Sequence, residues 1–458
     1  MHSIWAVAVN TIKQAVRMKI AAVFIILLAV LLPVMGLSMT GDGTLKGRLQ
    51  TFVSYGLSLS SLLLCLLTIA VASYSVTSDF EHKQVYTVLT KPIRRFQFLL
   101  GKLLGVILLS GSLLILFSAI IYTITIYMPR LCDAGEDELL AAQNEFYTAR
   151  ASLMPTEADV TAEVEQEYDK RLKSGQLPAE VLSSKNAQRN YKAAVAEQLK
   201  LARRAAAPSR ELVWEFDNVK PLDPNQNLFV RFKYDVSVNP LDLQIYSRWV
   251  IGDVRQLRYG TFETPIYDFA RKDLIRTFHE IRVPANAVAK DGYLAVAFFN
   301  APQNDTTVIF PPNAGMEVLY KADIFSANYV RAVLLILLRL VFLAALGILA
   351  ASFLSFPVAI LLCLAVFFTA NISGFILESF ESLSENVSGV YQYTVRPVIY
   401  LLPQFDKISP TKFLVPARLL SWSLLGKTAA VIICVKALLL FVAALLIFGR
   451  REIAKTII

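Results

Sequence analysis

Residues 81–102 read EHKQVYTVLTKPIRRFQFLLGK, a polar strip between two long apolar runs, 53–76 and 103–127. A helix needs about 20 mostly apolar residues to cross about 30 Å of hydrocarbon, and both runs are long enough. The strip is therefore the connection between two membrane spans. Working outward from it, four more runs qualify: 20–38 (KIAAVFIILLAVLLPVMGL), 332–354, 357–377 and 428–448. Ser355 and Pro357 separate the fourth and fifth spans as a tight hairpin. The first run is longer than a signal-peptide core and lacks a small-residue cleavage site, which makes it an uncleaved anchor.

Composition agrees with this class. The 458 residues are 55% hydrophobic and 18% charged, with mean hydropathy +0.51, more apolar than an ordinary soluble chain. The net charge of +9 does not point to nucleic acid, because the basic residues cluster beside the apolar runs where orientation signals lie. Lys13, Arg17 and Lys19 precede the first span; Lys83, Lys91, Arg94, Arg95 and Lys102 lie between the second and third; Arg450, Arg451 and Lys455 follow the sixth. Six spans put all three groups, and both termini, on the cytoplasmic side of a cell (inner) membrane. Segment 378–427 runs against that pattern: it is expected outside, yet holds Arg396, Lys407, Lys412, Arg418 and Lys427.

The expected fold is an α-helical membrane protein of six transmembrane helices with an inserted extracytoplasmic α+β domain. The first membrane block is 1–127, with the strip and its flanks at 79–102. The external domain is 128–331, and the second block is 332–458, with an external loop at 378–427 and a cytoplasmic tail. Within the external domain, 133–210 is rich in Ala, Glu, Lys, Arg and Gln, with Pro155 and Pro178 as breaks between helices and a loose stripe through Leu172, Leu182, Tyr191, Val195 and Leu199. From 211 to 325, short alternating runs take over: LVWEF (212–216), LFVRFKYDVSV (228–238), LQIYSRW (243–249), RTFHEIRVP (276–284), GYLAVAFFN (292–300) and TTVIF (306–310). Pro, Asn, Asp and Gly clusters between them indicate an antiparallel sandwich. Its shape is similar to carbohydrate-binding jelly rolls, an analogy of fold only. Trp214, Tyr246, Trp249, Tyr259 and Tyr267 belong to core packing more than to sugar stacking.

Candidate chemistry in the chain is sparse. Cys65, Cys363 and Cys434 fall inside expected spans, and Cys132 alone lies outside them, so the external domain has no internal disulfide; a bridge between two copies through Cys132 is the remaining alternative to a free thiol. His2, His82 and His279 are scattered, with no metal spacing and no triad, and no nucleophile–base pair marks a membrane-embedded hydrolase. SLLGKT (423–428) imitates the end of a phosphate-binding loop, but Ser421 stands where the first Gly belongs and a span follows, so an ATP site is rejected. Arg339 sits about eight residues into the fourth span, where a charge costs ~2.5–3.5 kcal/mol at mid-membrane; it is expected to face the bundle, bonded to backbone or an acid. Glu378, Glu381 and Glu385 follow the fifth span at helical spacing, as a solvated face.

Within the strip, Asp79 and Glu81 suit a helix N-terminus, and Val85, Val88 and Leu89 form one apolar face. A short amphipathic helix on the cytoplasmic surface follows, ending at Lys91 because Pro92 excludes it from the helical region.

The order Glu81, Lys83, Val85, Tyr86, Thr87, Leu89, Lys91-Pro92, Arg95, Phe98, Gly101-Lys102 resembles the cytoplasmic element between spans two and three of type-2 ABC-transporter permeases, including the group related to the nitrous-oxide-reductase maturation permease. FGRREI (448–453) is similar to that family's basic C-terminal end, and YLLPQFDKI (400–408) to its segment before the last span. The likeness covers both membrane blocks, about 1–127 and 330–458. Gln84 departs from the Thr of many relatives, and the large external insert is not a general family feature.

The resemblance implies that the strip is a coupling helix docking on a separate ATP-hydrolysing subunit through Glu81, His82, Lys83, Tyr86, Thr87, Lys91, Arg94 and Arg95, with Pro92 and Gly101 setting the turn. It implies an exporter permease with no cofactor of its own, ATP and Mg being held by the partner ATPase, and a second permease copy or paralogue completing a dimer. Lipid surrounds the spans, and an envelope protein or glycan would meet the external domain. The competing class is a membrane-anchored scaffold whose sandwich grips such a partner without transport.

Overall fold

In a computed structural model, residues 2–81, 94–132, 134–156, 159–178, 181, 185–223, 226–260, 263–312, 315–381, 394, 396–397 and 399–450 are described. The chain is mostly helical with separate antiparallel sheets, and it divides into two compact units, Met1–Ala149 with Ile324–Ile458, and Arg150–Asp323.

The first unit opens with α1 (His2–Val16), α2 (Lys19–Ser38), α3 (Leu45–Glu81), α4 (Arg95–Leu131) and α5 (Glu136–Glu145). In the second unit α6 (Thr161–Lys173) and α7 (Lys185–Ala202) precede most of the strands. The first unit resumes with α8 (Phe325–Phe353), α9 (Phe356–Glu381) and α10 (Trp422–Arg450), with a helical turn at Thr411–Leu414. Among the described residues five helices are long and apolar enough to cross a membrane: α3, α4, α8, α9 over Phe356–Leu377, and α10. These five point to a multi-pass membrane protein. The remaining expected span, 20–38, falls in α2, whose described apolar part Ala22–Ser38 is about 26 Å long at 1.5 Å per residue and shorter than the other five.

Local chemistry sets these boundaries. α8 stops at Phe353 and α9 starts at Phe356, so Pro357 sits in a first turn, where its missing N–H costs nothing. α4 runs 37 residues, about 55 Å, which outreaches the hydrocarbon. The first compact unit runs to Ala149 and the second starts at Arg150. Gly347 lets α8 approach α3, where a Cβ would lie 2.6 Å from that of Ala72.

The segment expected as an external loop, 378–427, packs onto the helices in its described part. Phe405, Leu414 and Leu420 are buried in the same core as α3 and α8. The Phe405 N–H donates to Ala370 O (3.0 Å), Gln50 donates to Val415 O (2.8 Å), and Asn328 donates to Arg418 O (2.8 Å) while accepting from Leu420 N–H (2.8 Å). Irregular backbone among membrane helices needs such partners, because lipid supplies none.

The strands, which lie in the second unit apart from the first two residues of β1 and the last of β11, are β1 (Thr148–Leu153), β2 (Ala205–Ala206), β3 (Glu211–Phe216), β4 (Asn227–Phe232), β5 (Asp235–Val236), β6 (Gln244–Gly252), β7 (Tyr267–Leu274), β8 (His279–Pro284), β9 (Leu294–Asn300), β10 (Val308–Ile309) and β11 (Met316–Ile324). They make two four-stranded sheets, β1-β11-β4-β8 and β3-β9-β6-β7, and a three-stranded sheet β2-β10-β5. Alternation drives β6: Ile245, Ser247, Trp249 and Ile251 point inward and are buried. Side chains of all three sheets meet in one core, where Phe232 and Trp249 rings stand 4.2 Å apart.

β7 and β11 were not among the expected strands, and β1 and β2 lie in a stretch expected to be helical. TARASL is short, small and polar, so no alternation marks it; it is a strand because it pairs beside β11.

Candidate functional site

The strip singled out by the sequence lies largely outside the described residues: His82, Lys83, Tyr86, Thr87, Lys91 and Pro92 all do. Its two ends are described. Glu81 is the exposed last residue of α3, and Arg94 caps α4, its backbone N–H donating to Gln97 Oε1 (3.2 Å).

Behind these ends the helices are locked together. Lys102 Nζ on α4 lies 2.7 Å from Asp79 Oδ2 on α3, with both side chains almost fully buried. The same ammonium donates to Ser75 O (2.8 Å) and to Gln14 Oε1 on α1 (3.2 Å), and it stands 5.5 Å from the Phe98 ring centroid. Three helices are thus tied by one cation whose donors are all used. Removing either partner of such a pair leaves an uncompensated buried charge, at a cost of roughly 3–5 kcal/mol.

Arg95 makes a second tie. Its Nη1 donates to Gly449 O and, at 3.4 Å, to Phe448 O, a guanidinium at the negative end of α10. Phe448 stacks on Phe98 (5.9 Å) and packs near Phe80 (5.8 Å). The start and end of the strip and the beginning of FGRREI, far apart in sequence, meet at one place.

Gly101 does not set a turn. It lies inside α4, where a Cβ would stand 2.6 Å from Val7 Cβ and 2.8 Å from Ile4 O. Gly105, one turn on, faces Ala8 O at 2.7 Å. The pair forms a G-x-x-x-G face that admits α1 against α4, a signal present in the sequence as GKLLG and passed over there.

Arg339 faces the bundle. Its Nη2 donates to Phe405 O (3.0 Å), its Nη1 approaches Ser61 Oγ (3.4 Å), and its guanidinium lies 4.8 Å from the Phe405 ring. It lines a cavity of about 270 Å³ with Ser58, Ser61, Asn371, Ser409 and Thr411. Among the described residues its hydrogen-bond partners are the Phe405 carbonyl and the Ser61 hydroxyl, and no acid.

Among the described residues no group of three His, Cys, Asp or Glu could hold a metal ion. Gly426, Lys427 and Thr428 lie inside α10, a helix and not a loop. Cys132 is a free thiol accepting from Arg48 Nη1 (3.2 Å). In the inserted unit Trp249 is wholly buried and donates to Ser247 Oγ (3.0 Å), so it offers no face to a sugar. Tyr246 is exposed, with Lys272 Nζ 4.6 Å from its ring centroid. Around Arg255, Asp253 (2.9 Å) and Asp291 (2.8 Å) form an ion-pair cluster, and their bonds to the guanidinium hold both carboxyls below the usual carboxylate range.

No family model matches this chain, and neither the curated proteins nor the solved structures contain a match.

Proposed function

We propose that this chain is the transmembrane permease subunit of an ABC-type exporter, driven by ATP hydrolysed with Mg on a separate subunit. The observation that carries the proposal is the buried Asp79–Lys102 clamp at the root of the strip. A coupling element must transmit force, and a strip rooted in two locked helices turns with them as one lever. Arg95 extends the lever to the end of α10, and Gln14 to α1. The strip would dock on the ATPase through Glu81, His82, Lys83, Tyr86, Thr87, Lys91, Arg94 and Arg95. In this proposal α2 supplies the first of six spans, both chain ends and the strip face the cytoplasm, the inserted unit is extracytoplasmic, and two permease chains frame the pathway.

The test is a mild-detergent pull-down of the tagged full chain beside a variant with Lys91, Pro92 and Ile93 all changed to Ala. An ATPase subunit recovered in equal amount with the wild type and lost with the variant is the expected result. An equimolar partner without nucleotide-binding motifs, or recovery unchanged by the variant, would replace the exporter by an anchored scaffold.

A further inference from the structure

Segment 378–427 carries lysines on the side where a cytoplasmic charge bias gives no reason for them, and two of them converge with a third. Lys407, Lys427 and Lys436 line one groove of about 440 Å³ with Gln404 and Thr428, and among the described residues no carboxylate lines it. Lys436 Nζ donates to Leu402 O (2.6 Å) and Tyr400 O (3.1 Å), which fixes the groove floor and leaves one N–H in hand. Among the described residues no carboxylate forms an ion pair with Lys407 or Lys427. Ile408, Val431 and Ile432 give the groove an apolar wall.

The backbone of α10 makes this grouping possible. Lys427 and Lys436 are nine residues apart, about 2.5 turns of α-helix, which would set them on opposite faces. Ala430–Ala437 is π-helical, with more residues in each turn, and both lysines reach the same groove.

Depth identifies the occupant. Counting from Arg450 at about 1.5 Å per residue, Lys436 lies about 21 Å and Lys427 at most about 35 Å along α10, the π-helical turn rising less per residue. Against about 30 Å of hydrocarbon, Lys427 is at headgroup level and Lys436 within reach of it by snorkelling. Three ammonium groups over an apolar wall at that level match a negatively charged head joined to acyl chains, and each cation near such a surface favours it.

We propose that this groove binds an anionic phospholipid, its phosphate held by Lys407, Lys427 and Lys436, in the leaflet opposite the C-terminal end of α10. The site depends on α10 crossing the membrane, and it stands whether or not the chain is a permease.

Native mass spectrometry of the detergent-solubilised full chain, titrated with phosphatidylglycerol and separately with phosphatidylcholine, tests it. The variant is Lys407→Gln with Lys427→Gln, two side chains with no hydrogen bond among the described residues, so Lys436 and its carbonyl partners stay intact. Saturable binding of phosphatidylglycerol, weakened by about tenfold or more in the variant as expected for loss of charged hydrogen bonds, with weak binding of phosphatidylcholine in both proteins, supports the site. Equal binding of the two lipids, or phosphatidylglycerol binding unchanged in a variant with wild-type melting behaviour, overturns it. Inorganic phosphate competing at the same concentration as phosphatidylglycerol would also overturn it, since the site would then read a bare anion.

Discussion

Lys102 looks in sequence like one more basic residue at a membrane flank, yet it is buried against Asp79, 23 positions earlier. Charge counting treats flank cations alike; only tertiary packing picks the one whose ammonium leaves water. Lys102→Met is expected to destabilise the membrane unit by roughly 3 kcal/mol, because Asp79 keeps its charge without a partner. The double variant Asp79→Leu with Lys102→Met should recover much of that loss, and melting of the four proteins in detergent gives the coupling energy. Arg339 was legible as a bundle-facing residue, since a charge in mid-span must find partners inside the protein. That its partner is Phe405 O was not, because nothing in the sequence brings segment 399–421 back among the helices. In the inserted unit, the ties of Asp253 and Asp291 to Arg255 add stability that is present above the ordinary carboxylate pKa and lost as pH falls through the lowered values. Between those limits the unfolded chain binds more protons than the folded one, so stability rises with pH. Arg255→Gln should flatten the acid limb of a melting-temperature profile, and an unchanged slope would show the cluster contributes nothing.

At the scale of elements, α1 and α4 meet through Gly101 and Gly105, where any side chain would enter the opposite backbone or Val7. Gly101→Ile should push α1 away from α4, raising labelling of a cysteine placed at Gln14 several-fold over the same reporter beside native Gly101. Labelling at the native rate would mean that α1 is held by other contacts. The strands divide along the same line between pattern and context. β3, β6 and β9 were legible because alternation over apolar residues survives in sequence, whereas β7 (YDFARKDL) buries one of its eight side chains, exposes four and offers no apolar run to read. β4 was read as one long strand through 238, but it ends at Phe232 and β5 pairs in a different sheet.

At the scale of the molecule, the two compact units have separate cores, one of helix side chains and one of strand side chains. Heating the full chain should therefore give two transitions. Trp249→Ala, which empties the centre of the strand core, should lower only one of them, by the equivalent of about 3–5 kcal/mol, as read by calorimetry. A single transition shifted as a whole would show that the units unfold together. The sequence by itself determined the membrane class, the positions of the apolar helices and the insertion of a strand-rich unit, because burial in lipid and alternation in a sheet are written as local runs and periods. The tertiary structure alone decided the Asp79–Lys102 clamp, the return of segment 399–421 into the bundle, the choice of α1 as the partner of the Gly101/Gly105 face and the convergence of three lysines beside a π-helical turn. Each of these is a meeting of side chains or backbone from separate elements, fixed by packing angles and hydrogen-bond satisfaction that no window of sequence contains.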